Sequence, residues 1–264
     1  MDVAPAPRDE RLARAGRLVA KAAAQGAQLV ALPELFNTGY LFKNREELAS
    51  LAETVPGGFT TVEMKKIAKK NGLDIVFGIA QKHGRKLYNS AVYVSRKGKV
   101  QVYQKIHLFD REKLFFSPGD KLAIVKTEET MAGIMICFDW IFPEVARALS
   151  LKGARIICHP SNLVLPWGQE AMKTRCIENG VFAVTANRIG TERRGTIELS
   201  FTGNSQIIGP KGDLLLTAGD RSESLKSVEI DISQADDKSV TSNNDLFVDR
   251  VPVSYTHLRA HETV

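Results

Sequence analysis

Long apolar runs are missing from these 264 residues. No stretch approaches the roughly 18 residues that a helix needs to span a bilayer, so no membrane partner is expected. Met1 to Glu10 also lacks the apolar segment of a secretory signal. Cysteine is scarce: Cys137, Cys158 and Cys176 are odd in number, widely spaced and without a CxxC pair. That argues against a disulfide framework and for a reducing cytoplasm. Clustered metal ligands are missing too. Cys158 and His159 are adjacent, a spacing that suits no common chelate, and His83, His107, His257 and His261 build no group, so no metal is expected. A basic patch is the last absence. The formal net charge is +6, yet the densest group, Lys65, Lys66, Lys69 and Lys70, reads as the wet face of a helix rather than a phosphate track. No nucleic-acid partner follows from it.

What is present is ordinary globular composition, 44% apolar and 25% charged, with no internal repeat or low-complexity linker. Residue spacing predicts helices over 11–25, 61–70, 143–152 and 168–179. Short apolar runs predict strands at 29–32, 74–80, 88–95, 100–104, 122–125, 133–136, 155–158 and 181–186. Arg96-Lys97-Gly98-Lys99 supplies a hairpin turn. The stretch 203–232 reads as strand-rich, with Gly209-Pro210-Lys211-Gly212 as a turn. Strands alternate with helices early and form hairpins later, which defines an α/β class with mixed sheets.

Three of these strands deliver a chemically useful residue at their ends. The run at 29–32 leads through Pro33 to Glu34, the strand at 100–104 to Lys105, and the run at 133–136 to Cys137. Functional groups gather where strands give way to loops. A thiol becomes a strong nucleophile when it loses its proton, and a neighbouring carboxylate can accept that proton. An ammonium beside them can hold a developing oxyanion, with the Phe138 N–H as a second donor. The helix near Pro143, with Asp139 as its candidate cap, starts too far from Cys137 to activate it strongly, so the positive charge is expected mainly from Lys105. The bland alternative for each residue is packing or solvation, which is assigned to Cys158, within an apolar run, and Cys176, within a helix.

The words around these positions, Leu32-Pro33-Glu34-Leu35-Phe36, Tyr103-Gln104-Lys105-Ile106-His107-Leu108-Phe109 and Ile136-Cys137-Phe138-Asp139 with Phe142-Pro143-Glu144, together resemble the nitrilase superfamily of carbon–nitrogen hydrolases. Leu87-Tyr88-Asn89-Ser90-Ala91, Ser117-Pro118-Gly119-Asp120, 180–188 and Gly203-Asn204-Ser205 extend the resemblance, in order, from about Pro5 to Arg250. With His159-Pro160-Ser161-Asn162-Leu163 it is closest to an archaeal-type nitrilase/amidase branch. The resemblance implies an αββα sandwich, a homodimer, a thioester acyl-enzyme and no cofactor. Carried over residue by residue, Cys137 is the nucleophile, Glu34 the base and Lys105 the oxyanion holder. A second glutamate of the family matches Glu112 best, Asp110 less well. His107 alternates to the other face of its extended segment and reads as structural. Tyr40, Trp140, Phe142 and Asn162 are expected to shape a pocket for a small amide or nitrile.

Two ends depart from the family. Its usual first strand would precede Met1, which reads as an internal methionine, so the first strand is expected to be missing. Val253 to Thr263 reads as a translated transposon-type sequencing adapter, so the hydrolase domain is assigned to 1–252 and a non-native tail to 253–264. A folded but inactive binding or partner protein is the alternative that these ends favour and the complete catalytic words oppose.

Overall fold

The computed structural model describes residues 7–259. The chain begins with α1 (Arg8–Ala24), β1 (Leu29–Ala31), α2 (Arg45–Leu51), α3 (Phe59–Asn71), β2 (Asp74–His83), β3 (Lys86–Val94), β4 (Val100–Gln104) and α4 (Glu112–Phe115). It continues through β5 (Ala123–Lys126), β6 (Met131–Ile134), a 3-10 turn at Cys137–Ile141, α5 (Pro143–Leu151), β7 (Ile156–Pro160), α6 (Gly168–Asn179) and β8 (Phe182–Ala186). A hairpin of β9 (Thr191–Arg194) and β10 (Ile197–Ser200) follows, then β11 (Gln206–Ile208) and β12 (Leu214–Thr217).

Two mixed sheets form the centre, ordered β1-β2-β3-β4 and β12-β11-β8-β7-β6-β5. In the first, only β1 and β2 run parallel; in the second, β6, β7 and β8 do. The two-residue period of β2 explains the layering. Ile75, Phe77 and Ile79 pack outward against Leu12, Ala15 and Val19 of α1 and Met64 and Ala68 of α3. Val76 joins Ala91, Tyr93 and Tyr103 in the core shared with the second sheet, whose own helices contribute Val145, Leu149, Met172 and Cys176. Each fully buried aliphatic or aromatic side chain contributes roughly 1.5–3 kcal/mol. Helix, sheet, sheet and helix therefore stack in four layers, the αββα arrangement expected of the sequence.

Several boundaries follow from local chemistry. Helix α3 stops at Gly72, which takes the left-handed conformation (φ 67°) and returns its N–H to Ala68. Pro143 occupies the first position of α5, where its missing N–H costs nothing. Helix α2 and the β9–β10 hairpin were not anticipated, because both are short and mostly polar. The strand-rich reading of 203–232 is corrected: β11 and β12 form around the expected turn, but 218–231 has no regular structure. That stretch is rich in Ser, Asp and Glu, and Leu225, Val228 and Ile230 are its only large apolar residues.

Among the described residues no strand precedes α1, and residues 1–6 lie outside them. Pro252–Arg259 forms a 3-10 helix in which Val253 and Tyr255 are exposed, and 260–264 lie outside the described residues. No described helix is long and apolar enough to cross a membrane.

Candidate active site

The turn after β1 carries Glu34 onto the surface of β2. Gly78 makes this possible. Its N–H donates to the Pro33 carbonyl (3.2 Å) and its own carbonyl accepts from Phe36 N–H (3.1 Å). A Cβ at position 78 would stand 2.6 Å from Leu35 N and 2.9 Å from the Glu34 carbonyl carbon, with Glu34 Cα nearer still. Only glycine leaves room for the backbone there. Leu35 completes the turn in the left-handed region at φ 47°.

Glu34 is fully buried. Its Oε1 accepts from Asn89 Nδ2 (2.6 Å) and Lys105 Nζ (2.8 Å), while Oε2 has no hydrogen-bond partner among the described residues. Lys105 emerges from β4, where its N–H donates to Asn89 O and its carbonyl accepts from Gly119 N–H, both at 2.8 Å. Its ammonium also donates to Glu112 Oε1 at 2.8 Å, and that oxygen accepts from Tyr40 Oη at 2.6 Å. Tyr40 is anchored in turn: Glu192 of β9 accepts from the N–H groups of Tyr40 (3.1 Å) and Leu41 (2.9 Å) and pairs with the buried Arg188.

Two carboxylates around one ammonium set the electrostatics. Burial alone would lower the Lys105 pKa, but Glu112, Glu34 and the Cys137 sulfur outweigh it, so Lys105 lies above the ordinary lysine range. Burial lifts the Glu112 carboxyl; Lys105 opposes this and Glu34 reinforces it, for a net rise. Tyr40 is held well above its usual value by burial and by the same two carboxylates.

Cys137 opens the 3-10 turn beyond β6 with φ 40°, another left-handed non-glycine residue. Strain of this kind persists where the surroundings over-determine it. On one side, Ile136 N–H donates to Asp139 Oδ2 (2.9 Å), which also accepts from Tyr103 Oη (2.8 Å). Asp139 Oδ1 meets His107 through its N–H (3.2 Å) and its Nδ1 (2.8 Å). On the other side, the Cys137 carbonyl accepts from His159 Nε2 (2.8 Å). The Asn162 backbone N–H bonds the sulfur, and Asn162 Nδ2 donates to the Glu34 carbonyl (3.1 Å). Burial and Glu34 push the thiol well above its ordinary pKa, with Lys105 and the Asn162 N–H pulling the other way. The resting sulfur therefore carries its proton.

The structure thus brings Glu34, Lys105, Glu112, Tyr40, Cys137 and Asn162 together. Phe138, Trp140 and Phe142 are engaged elsewhere: Phe138 meets the rings of Phe109 and Phe142, Phe142 stacks on His107 at 3.8 Å, and Trp140 is buried beside α6, where its carbonyl accepts from Arg175 Nε (3.0 Å). Asp139 does not cap α5, whose N-cap is Phe142; its carboxylate is spent on the Cys137 turn. Sequence reasoning missed Asn89, His159 and Glu192. The signal for Asn89 was a polar residue, beside Ser90, inside a strand that is buried from Leu87 to Val94. No described group of three His, Cys, Asp or Glu residues could hold a metal ion.

A thiol, a carboxylate with an unpaired oxygen and a buried ammonium in one enclosure can attack an electrophilic carbon, move a proton and hold a negative oxygen. Comparison with known proteins agrees with that chemistry. The carbon–nitrogen hydrolase family model matches residues 4–238. A nitrilase of Pyrococcus abyssi is 46% identical over 243 residues, covering 92% of this chain and 91% of that one. An N-carbamoylputrescine amidase of Solanum lycopersicum is 32% identical, covering 92% and 88%. A solved carbon–nitrogen hydrolase from Helicobacter pylori superposes with a TM-score of 0.81 at 26% identity, covering 87% of each chain. An amidase of the nitrilase superfamily from Nesterenkonia gives 0.71 at 26% identity over 82% and 83%, and one of its structures records Michael addition of acrylamide at the active-site cysteine. The chain belongs to the nitrilase superfamily and is a carbon–nitrogen hydrolase. Its relatives are nitrilases and amidases, which makes amide or nitrile hydrolysis its general activity.

Proposed function

We propose that the enzyme cleaves the carbon–nitrogen bond of a small amide or nitrile through a thioester on Cys137, releasing ammonia and a carboxylic acid. The observation that carries this reading is the buried Lys105 ammonium, held at 2.8 Å from both Glu34 and Glu112 beside a protonated thiol. Glu34 Oε2 takes the thiol proton as sulfur attacks the carbonyl carbon. The displaced π pair settles on oxygen, facing the Lys105 ammonium and the Phe138 N–H. Glu34 then delivers its proton to the nitrogen, the carbon–nitrogen bond breaks and ammonia leaves. A water gives a proton to Glu34 and attacks the thioester; the acid departs and sulfur recovers the proton. A nitrile enters the same cycle as a thioimidate, whose first water addition frees the nitrogen.

Glu112 and Tyr40 orient Lys105 in this scheme, Asn162 steadies the Glu34 turn, and Trp140 and Phe142 support the Cys137 turn rather than touch the substrate. No step calls for a cofactor. The raised thiol pKa supports a general base over a preformed thiolate, since a low-pKa cysteine would not need Glu34. The same reading carries a homodimer in a reducing cytoplasm. Exposed Ile141, Trp167 and Ile177 support the first, and three unpaired cysteines the second. Ammonia release across a panel of carboxamides, nitriles and carbamoyl compounds, with trapping of the acyl group on Cys137 in acid-quenched intact protein, tests the proposal. Turnover without any adduct at Cys137 would refute it.

A further inference from the structure

His159 takes no part in that cycle, yet it is fully buried and touches the reacting residue's backbone. The ring lies at the end of β7, opposite Thr185 of β8 in register. Its two nitrogens have different partners: Nε2 meets the Cys137 carbonyl at 2.8 Å and Nδ1 meets Thr185 Oγ1 at 3.1 Å. A carbonyl oxygen can only accept, so the proton sits on Nε2. Nδ1 is then an acceptor, and the Thr185 hydroxyl donates to it. Burial keeps the imidazole pKa below its ordinary value, so the ring is neutral and this tautomer is the one present.

Cys137 needs such a partner. At φ 40° it occupies a region that an L-residue with a side chain avoids, and only outside bonds keep it there. Three residues further along the same segment, Asn162 donates its backbone N–H to the sulfur and its side chain to the Glu34 carbonyl. One exit from β7 therefore ties together the turn that holds the thiol and the turn that holds the carboxylate.

We propose that His159 is a positioning residue for the reaction: through its Nε2–H it clamps the Cys137 carbonyl, which aims the sulfur at both substrate and Glu34. The role rests on the acyl-enzyme reading but makes a separate claim, about the donor rather than the nucleophile. It asks for a hydrogen-bond donor at one point in space and for nothing else from the ring.

Two amide substitutions isolate that donor. In His159→Gln the side-chain Nε2 reaches the place of the imidazole Nε2. In His159→Asn the shorter amide still meets Thr185 but falls short of the Cys137 carbonyl. Ammonia release from propionamide gives kcat and KM, iodoacetamide labelling followed by peptide mass spectrometry gives the reactivity of Cys137, and melting temperature reports stability. The expected result is a fall of about 10²-fold in kcat for His159→Asn, the scale of a 1 Å misplacement, with KM within about threefold and slower labelling of Cys137. His159→Gln should recover kcat to within about tenfold of the unsubstituted enzyme. Equal kcat in the two variants, or a loss that follows melting temperature in both, would overturn the proposal. Failure of the acyl-enzyme reading would look different: Cys137→Ala would still release ammonia, whatever the two His159 variants did.

Discussion

Gly78→Ala is the substitution whose outcome the structure specifies most closely. Position 78 does not have a positive φ, so alanine brings no backbone strain of its own. The effect is purely one of space. The new methyl would lie 2.6 Å from Leu35 N and 2.9 Å from Glu34 C, where ordinary contact needs about 3.5 Å. Both obstacles are backbone, so no side-chain rotation relieves them, and the Glu34 turn must retreat by roughly 1 Å. Such overpacking costs about 1–3 kcal/mol of stability, within what a domain of roughly 5–15 kcal/mol survives. The larger consequence is chemical. A retreat of that size stretches the 2.8 Å contact between Glu34 and Lys105 and takes Oε2 away from the sulfur. Misplacement on that scale lowers turnover by about 10²-fold. The assay is steady-state ammonia release beside a thermal melt, with circular dichroism confirming that the sheets are formed. A folded Gly78→Ala enzyme with kcat within about threefold of the parent would show that Glu34 is not held against β2 for catalysis.

Cys137→Ala should abolish ammonia release with an unchanged circular dichroism spectrum, whereas Cys158→Ala and Cys176→Ala keep most activity; activity surviving in Cys137→Ala would end the acyl-enzyme scheme. Glu34→Gln should slow acylation by about 10²- to 10⁴-fold and Lys105→Gln by about 10²- to 10³-fold, both read by single-turnover quench. Tyr40→Phe removes a hydrogen bond to a carboxylate, worth about 1.5–3 kcal/mol, and should lower kcat about tenfold; an unchanged rate would mean Glu112 is held without it. Labelling without substrate tests the thiol itself. A raised Cys137 pKa means a thiolate fraction that keeps growing through pH 9, so the iodoacetamide rate should climb without a plateau near neutrality, while Cys158, pushed up to about 12 by burial, stays unlabelled. Deleting 253–264 should leave ammonia release and melting temperature unchanged, given the exposure of Val253 and Tyr255.

Much of the architecture could be read from the chain because burial imposes a period. The runs that became β2, β3, β7 and β8 are largely apolar and buried on both faces, and helices such as α1 show the spacing of Leu12, Ala15, Val19 and Ala22. Glu34, Lys105 and Cys137 stood out as polar residues at strand ends. The supporting contacts were not legible, since they depend on which strands become neighbours. Nothing local says that Asn89 reaches Glu34, fifty-five positions away, or that Glu192 ties down Tyr40 across 152. Asp139 shows the opposite failure. Its position before Pro143 suggests a helix cap, but a carboxylate that can satisfy Ile136, Tyr103 and His107 together is held by them instead. Local propensity lost to a denser set of partners.

Glu34 and Lys105 leave the β1–β4 sheet, whereas Cys137 and Asn162 leave β6 and β7 of the other. The reacting groups therefore straddle a seam, and nothing covalent nearby fixes one lip of it to the other. What holds the gap is packing between Val76, Ala91 and Tyr103 on one side and the apolar faces opposite, crossed by the hydrogen bonds of Tyr103 and His107 to Asp139 and of Asn162 to the Glu34 carbonyl. A slide of one sheet over the other by a fraction of an ångström would leave every strand paired and every helix intact while parting base from thiol. Low concentrations of urea should consequently silence the enzyme well before ellipticity at 222 nm begins to fall, making turnover a finer gauge of inter-sheet registration than any spectrum of the backbone.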